Sequence, residues 1–268
     1  MSTPQKRKSE SPPPNENEQP KKARLSPPKA GKDEAHPEAP SNRHIAPDSL
    51  INSTAALAYW SSTEPTVNGV LGGYPQVSRV DLQGSKNFLA KLRRQSKHFP
   101  PSKGKLRRAV DCGAGIGRIT EGFLRDVAEV VDIVEPVVSF TDQIKDKPGV
   151  GEIYNIGLED WHPDRDGLGP YDLIWNQWCV GQLNDKQFVE YLQRLPKVLS
   201  EGGLIIVKEN LSNSGEDVYD ETDSSVTRTD EKFRLLFEEA GLKLVRTELQ
   251  KGMVEGLYPV RCYGLQPK

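Results

Sequence analysis

Apolar positions along this chain follow two rhythms, separated by polar and glycine-containing breaks. Short apolar runs predict strands at 106–111, 130–134, 171–176, 203–208, 242–248 and 259–265. Helical spacing predicts helices at about 49–60, 78–98, 117–127, 138–146, 185–200 and 230–240, the second with Leu82, Phe88, Leu89 and Leu92 on an apolar face. Strands that alternate with helices imply an α/β fold with a mainly parallel sheet and helices on both faces. The connection Lys251–Pro259 is too short for a crossover helix, so the last two strands are expected to form an antiparallel pair. The helices before 106 form an N-terminal extension, broken at Pro65–Tyr74 by too much glycine for a regular element. Sheets of this kind bind ligands outside the C-terminal ends of their strands.

The first 48 residues break the pattern. They hold 10 of the 21 prolines and only eight apolar residues, too little apolar surface to offset chain entropy. The chain therefore divides into a disordered, Pro-rich charged tail at 1–48 and one domain of about 220 residues at 49–268. Charge follows the same boundary: the tail is net +2 and the domain −4, although the whole is only −2. Lys6-Arg7-Lys8 and Lys21-Lys22-Ala23-Arg24 are basic clusters with twelve residues between them. Two readings stand, a bipartite nuclear-import signal that binds an import receptor and a solvated charged linker. The expected location is cytoplasmic, and nuclear under the first reading. Ser9, Ser11 and Ser26 precede Glu or Pro and are candidate modification sites.

Several classes are excluded. Cys112, Cys179 and Cys262 are scattered, with neither a disulfide framework nor zinc spacing, and read as small buried residues. His36, His44, His98 and His162 include no close pair, so no metal site is expected. No apolar run approaches about 18 residues, and the polar N-terminus is not a signal peptide, so no membrane partner is expected. An acidic domain without a basic stripe argues against direct nucleic-acid binding.

The main chemical signal is Val110-Asp111-Cys112-Gly113-Ala114-Gly115-Ile116-Gly117-Arg118-Ile119-Thr120, between a predicted strand and a predicted helix. Three glycines allow a sharp turn and a close ligand approach. A dinucleotide loop, G-x-G-x-x-G, would need glycine at 118, where this chain has Arg. G-x-G-x-G after a strand ending in an acid instead fits S-adenosylmethionine, with a glycine-rich structural turn as the alternative. The next strand ends in Glu135, 22 residues after Gly113, where a carboxylate can accept both ribose hydroxyls. Gly157-Leu158-Glu159-Asp160-Trp161 follows as a candidate adenine border.

Beyond the glycine loop, Ile174-Trp175-Asn176-Gln177-Trp178, Val207-Lys208-Glu209-Asn210 and Asp223-Ser224-Ser225-Val226-Thr227-Arg228 resemble the eukaryotic protein N-terminal methyltransferases, as do Tyr59-Trp60 and Pro65–Tyr74 upstream. The resemblance covers residues 55–268 and implies a Rossmann-like class I methyltransferase fold. It implies transfer of methyl groups from S-adenosylmethionine to the α-amine of proteins beginning Xaa-Pro-Lys, ribosomal proteins among them. It further implies that Gly113 and Arg118 hold the methionine end of the cofactor, that Glu135 with Pro136 and Val137 holds the ribose, that Leu158 and Glu159 border the adenine, and that Gln177 packs near the methionine part. At the peptide, Asp223 and Asn210 are implied as the catalytic pair. Leu71, Gly72 and Trp178 would take the second-position proline, with Trp60 and Tyr258 nearby. Asp220, with Asp223 or Ser225, would meet the third-position lysine. Trp175 and Trp178, as alternating strand residues, both also read as core, and Trp178 is the better placed of the two to reach substrate.

The acceptor chemistry stands apart from the resemblance. Attack on a sulfonium methyl needs a neutral amine, and an α-amine has a pKa of about 7.7–8.0 against about 10.4 for lysine. Modest help in deprotonation plus alignment suffices. By its residues alone Asp223 also reads as a loop or helix cap. One departure from the family stands out: where it often has His, this chain has Gln182, which takes no proton at physiological pH. The burden then shifts to Asp223 or solvent. Other readings are a lysine or small-molecule methyltransferase on the same fold and a non-catalytic binding module. Protein substrates, degree of methylation and oligomeric state are not legible in the residues.

Overall fold

The computed structural model describes residues 45–95, Phe99 and 104–268. The basic clusters and most of the expected tail lie outside the described residues, as do the last three positions of the helix expected at 78–98. Among the described residues, regular structure begins with a 3-10 turn at Pro47–Leu50, anchored where Asp48 accepts the backbone N–H of Asp185 at 3.0 Å. The helix expected at 49–60 is α1, Ser53–Ser62. It starts later because Asn52 caps it, accepting from the N–H of Ala55. Thr66 caps the short α2, Val67–Val70, in the same way. The long α3, Val77–Gln95, follows.

The remaining elements are β1 Leu106–Cys112, a π-helical turn at Thr120–Leu124 running into α4 Arg125–Val127, β2 Ala128–Val134, α5 Val138–Thr141, β3 Val150–Tyr154 and β4 Tyr171–Gln177. Then come α6 Asp185–Arg194, β5 Leu199–Asn210, the hairpin strands β6 Val218–Asp220 and β7 Ser225–Thr227, α7 Asp230–Glu239, β8 Leu242–Leu249 and β9 Val260–Pro267. The main sheet has the order β3-β2-β1-β4-β5-β9-β8. Its first five strands run parallel, and β9 is antiparallel to both β5 and β8. The mainly parallel sheet and its antiparallel final pair are as expected.

Several boundaries differ, for local reasons. The helix expected at 138–146 ends at Thr141 and continues as turns. The helix expected at 185–200 ends at Arg194, because Pro196 supplies no N–H to extend it, and β5 begins at Leu199 rather than 203. Three features lack any counterpart in the expected elements: the half-buried edge strand β3, the hairpin β6–β7, and α2, which forms within Pro65–Tyr74 despite its glycines because Thr66 caps it.

Period-two alternation splits the strands between two cores. Ala109, Ile133, Leu173, Trp175, Leu204 and Ile206 face α3 and the π-turn, where Phe123 meets Trp175 edge-on at 4.9 Å. Val110, Val134, Ile174, Ile205, Val207 and Tyr263 face α6 and α7. Helices therefore cover both faces. Because β1 pairs with β2 on one side and β4 on the other, strand order reverses there and opens a crevice at its C-terminal end.

Candidate active site

The glycine loop leaves β1 at this crevice. Gly113 adopts φ 66°, and a Cβ there would lie 2.2 Å from the Cβ of Cys179. Gly117 adopts φ 77°, and a Cβ would lie 1.9 Å from the Cδ1 of Ile144. Both positions thus need glycine for conformation and for space. Gly113 and Ala114 bond to the carbonyl of Val134, which fastens the loop to the end of β2.

A cavity of about 370 Å³ opens over this loop. Its wall includes Gly113, Arg118, Glu135, Pro136, Val137, Leu158, Glu159 and Gln177, all the residues expected around a cofactor. It also includes Trp60, Leu71, Trp178 and Gln182 from the expected substrate side. Gly72, Asn210, Asp220, Asp223, Ser225 and Tyr258 do not line it. The residues missed by sequence reasoning include Ser53, Thr54, Ala56 and Leu57, which bring α1 over the cavity.

Glu135 is buried at the end of β2. Its Oε2 accepts the N–H of Gly115 at 2.8 Å and its Oε1 that of Val137 at 2.9 Å. Burial raises its carboxyl pKa, and these two N–H groups oppose the rise. Each oxygen keeps lone-pair capacity for a further donor. Beneath the loop, Asp111 is enclosed and accepts the hydroxyl of Thr120 at 2.6 Å; burial pushes its pKa up to about 7. Burial also drives the thiol of Cys112 above its ordinary range; Cys179 is pushed the same way, although it is half-buried on the cavity wall rather than buried as expected.

Arg118 is held on several sides. Its Nη1 donates to Asp81 Oδ2 at 2.7 Å and to Ser78 Oγ at 3.4 Å, and its guanidinium lies 5.2 Å from the centre of the Trp178 ring. Gln177 donates to both Asp81 oxygens at 2.8 and 2.9 Å and accepts from Trp175 Nε1 at 3.1 Å. Asp81 also meets Lys208 Nζ at 2.5 Å. Burial would raise the pKa of Asp81, but the charges of Lys208 and Arg118 and their hydrogen bonds prevail and hold it below the usual carboxylate value. Sequence reasoning missed Asp81. Its signal was a carboxylate and a hydroxyl, Asp81 and Ser85, at helical spacing on the same buried stripe as Phe88, Leu89 and Leu92.

On the other side, Trp178 takes φ 55°, a left-handed conformation unusual for a tryptophan, as it leaves β4. Its indole Nε1 and the Nε2 of Gln182 are buried without a hydrogen-bond partner among the described residues. Two unsatisfied donors on residues of one cavity wall mark where a ligand's acceptors would be favoured. Trp175, by contrast, is core, as its strand register predicted.

The hairpin places Asp223 behind this wall. Asp223 is buried and accepts Ser225 Oγ at 2.6 Å. Next to it, Ser224 at φ 53° accepts the N–H of Asn52 at 2.8 Å, tying the hairpin to the start of α1. Arg228 donates to the carbonyls of Val180 and Leu183 at 3.1 and 2.6 Å, which ties β7 to the turn carrying Gln182. Glu209, beside Asn210, accepts the N–H groups of Cys179 and Val180. Asp223 and Asn210 thus sit on elements fastened to cavity-lining segments. Asp220 is half-buried and accepts the N–H of Thr222; Tyr258 is buried. Among the described residues no cluster could hold a metal ion.

Comparison with known proteins follows the same outline. A family described as "AdoMet dependent proline di-methyltransferase" matches residues 48–266. A fission-yeast protein, Schizosaccharomyces pombe "Alpha N-terminal protein methyltransferase 1", is 42% identical over 218 residues, 79% of this chain and 94% of the relative. The Mus musculus "N-terminal Xaa-Pro-Lys N-methyltransferase 1" is 37% identical over 216 residues, 79% of this chain and 93% of the relative. A solved SAM-dependent methyltransferase from Leishmania major superposes with a TM-score of 0.71 at 36% identity, covering 80% of this chain and 82% of that one.

Proposed function

This chain belongs to the family of S-adenosylmethionine-dependent α-N-terminal protein methyltransferases, and on that premise we propose that it methylates the α-amine of proteins whose processed N-terminus reads Xaa-Pro-Lys. The observation that carries the proposal is the single cavity whose wall combines the glycine loop, Glu135 and Arg118 with Trp60, Leu71, Trp178 and Gln182.

The residues present fit the cofactor. At Gly115, on the cavity wall, an added Cβ would meet only Val70 at 3.9 Å, so the loop backbone there is open to close approach. Glu135 retains acceptor capacity for two ribose hydroxyls beside the N–H groups it already holds. Arg118 donates to Ser78 and Asp81 through Nη1 and keeps further N–H donors for a carboxylate. Leu158 and Glu159 supply the border for a purine. Bound there, S-adenosylmethionine supplies a methyl group made electrophilic by its sulfonium.

The chain's own work is then to hold a neutral α-amine in line. Its solution pKa of about 7.7–8.0 leaves a usable neutral fraction at physiological pH. Asp223 accepts the departing proton, directly or through water, and Asn210 orients the amine or the first carbonyl. The unpaired donors of Trp178 and Gln182 face acceptors of the extended peptide, whose second residue, proline, has a fixed φ and no N–H to satisfy. Leu71 and Trp178, with Trp60 on the same wall, take its ring; Gly72, Asp220, Ser225 and Tyr258, expected around the peptide, lie off that wall.

Mass spectrometry of a hexapeptide starting Ser-Pro-Lys, incubated with the protein and S-adenosylmethionine, tests the reading. Stepwise gain of methyl mass is expected. Acetylation of the α-amine alone should abolish it; transfer that survives acetylation would assign the activity to lysine instead. No gain at all, from a protein that binds cofactor, would leave a binding module.

A further inference from the structure

Asp81 does not line the cavity, yet two groups that do, Arg118 and Gln177, are bonded to its carboxylate. From this arrangement we propose that Asp81 is a positioning residue for the amino-acid end of S-adenosylmethionine, acting through the guanidinium of Arg118 and the carboxamide of Gln177. The proposal rests on the cofactor reading above and adds to it a residue of the N-terminal extension.

Three features carry it. The first is charge. Asp81 is fully buried with Lys208, which is also fully buried, and with Arg118, which is 8% exposed. Two cations meet the Asp81 carboxylate, but only Arg118 lines the cavity, since Lys208 turns to Asp81, its carbonyl and Ser85. Arg118, which also feels the charge of Asp111 beneath the loop, is the cation placed to receive an incoming carboxylate. The second is geometry. Bonds to Asp81 and Ser78 and the face of Trp178 restrain the guanidinium, so its remaining donors are aimed before a ligand arrives. The third is Gln177, whose oxygen is taken by Trp175 and whose nitrogen is turned to Asp81, so it cannot flip without breaking both contacts. Asp81 thereby joins α3 to the glycine loop, to β4 and to β5, so that a helix outside the βα repeat sets the orientation of the cofactor-facing cation.

The experiment is calorimetric titration of the full chain with S-adenosylhomocysteine and with 5′-methylthioadenosine, which keeps adenine, ribose and thioether but lacks the amino-acid end. Asp81→Asn is expected to weaken S-adenosylhomocysteine by roughly 10- to 100-fold and to leave methylthioadenosine unchanged. Arg118→Met should show the same selectivity, and adding Asp81→Asn to it should cost nothing further. Equal weakening of both ligands, weakening of neither, or additive losses would overturn the proposal, because a merely structural carboxylate has no means to tell the ligands apart. If Asp81→Asn fails to fold because Lys208 is left unpaired, Asp81→Asn/Lys208→Met removes both charges and is read in the same way. An unmodified chain that binds neither ligand would overturn the cofactor reading itself, and the role of Asp81 with it.

Discussion

Asp111 and Asp223 are both buried carboxylates near the cavity, and they call for different chemistry. Asp111 ionises near 7 in the folded protein because it is enclosed, whereas in the unfolded chain it ionises at about 3.9. Between those values the folded state keeps a proton that the unfolded state has released. Stability from this group is therefore complete below about pH 4 and is lost as pH rises to about 7. Asp111→Asn should flatten the pH dependence of the thermal midpoint between about pH 4 and 7, and an unchanged slope would count against it. Asp223 lies instead in the hairpin turn, bonded to Ser225 and next to Ser224, which holds the N–H of Asn52. Asp223→Asn is expected to lower turnover by a factor on the order of 100 while leaving S-adenosylmethionine affinity near its original value. A parallel loss of cofactor binding, read by titration, would make the residue structural. At this scale Gly113, Gly117, Arg118 and Glu135 were legible because their spacing is local in the chain. Asp81 was not, because only the packed sheet reveals that Arg118, Gln177 and Lys208 converge on it.

Among the elements, α1 and the β6–β7 hairpin depend on one another. The N–H of Asn52 bonds to Ser224 Oγ, the hydroxyls of Tyr219 and Ser224 lie 3.2 Å apart, and α1 contributes Ser53, Thr54, Leu57 and Trp60 to the cavity wall. Ser224→Ala removes the acceptor and should weaken the attachment by about 1 kcal/mol. Faster amide exchange is expected in residues 53–62, with α7 and the central strands unchanged. Exchange that stays as slow in 53–62 would show that α1 is held by other contacts. Apolar periodicity revealed α6 and α7, whose Phe188, Phe233 and Phe237 face one core at helical spacing. It missed β3, since Val150-Gly151-Glu152-Ile153-Tyr154 is a half-buried edge strand defined by its pairing with β2 rather than by alternation. It also missed β6 and β7, three residues each, which are too short to carry a period.

For the molecule as a whole, the matched family region begins at residue 48, and among the described residues the first long-range contact is made by Asp48. Removal of residues 1–44 is therefore expected to leave thermal stability and peptide turnover unchanged. A fluorescent reporter carrying residues 1–30 should concentrate in nuclei, and alanines at Lys21, Lys22 and Arg24 should disperse it. A reporter spread evenly between nucleus and cytoplasm would leave the linker reading of the two clusters. Six of the nine described strands, the mainly parallel pairing and the reversed final strand were legible, because apolar runs and connection length constrain them. The chain by itself determined the α/β class, the glycine loop and the acid at the end of the next strand, since each depends on residues close in sequence and on backbone conformations that few residue types allow. Only the tertiary structure decided that Arg118 is braced by a carboxylate from α3, that Trp178 and Gln182 hold unpaired donors at one wall, and that the hairpin bearing Asp223 is fastened to α1. Those contacts join positions far apart in the chain, and burial makes their charges and hydrogen bonds matter, which becomes visible only when the core has closed around them.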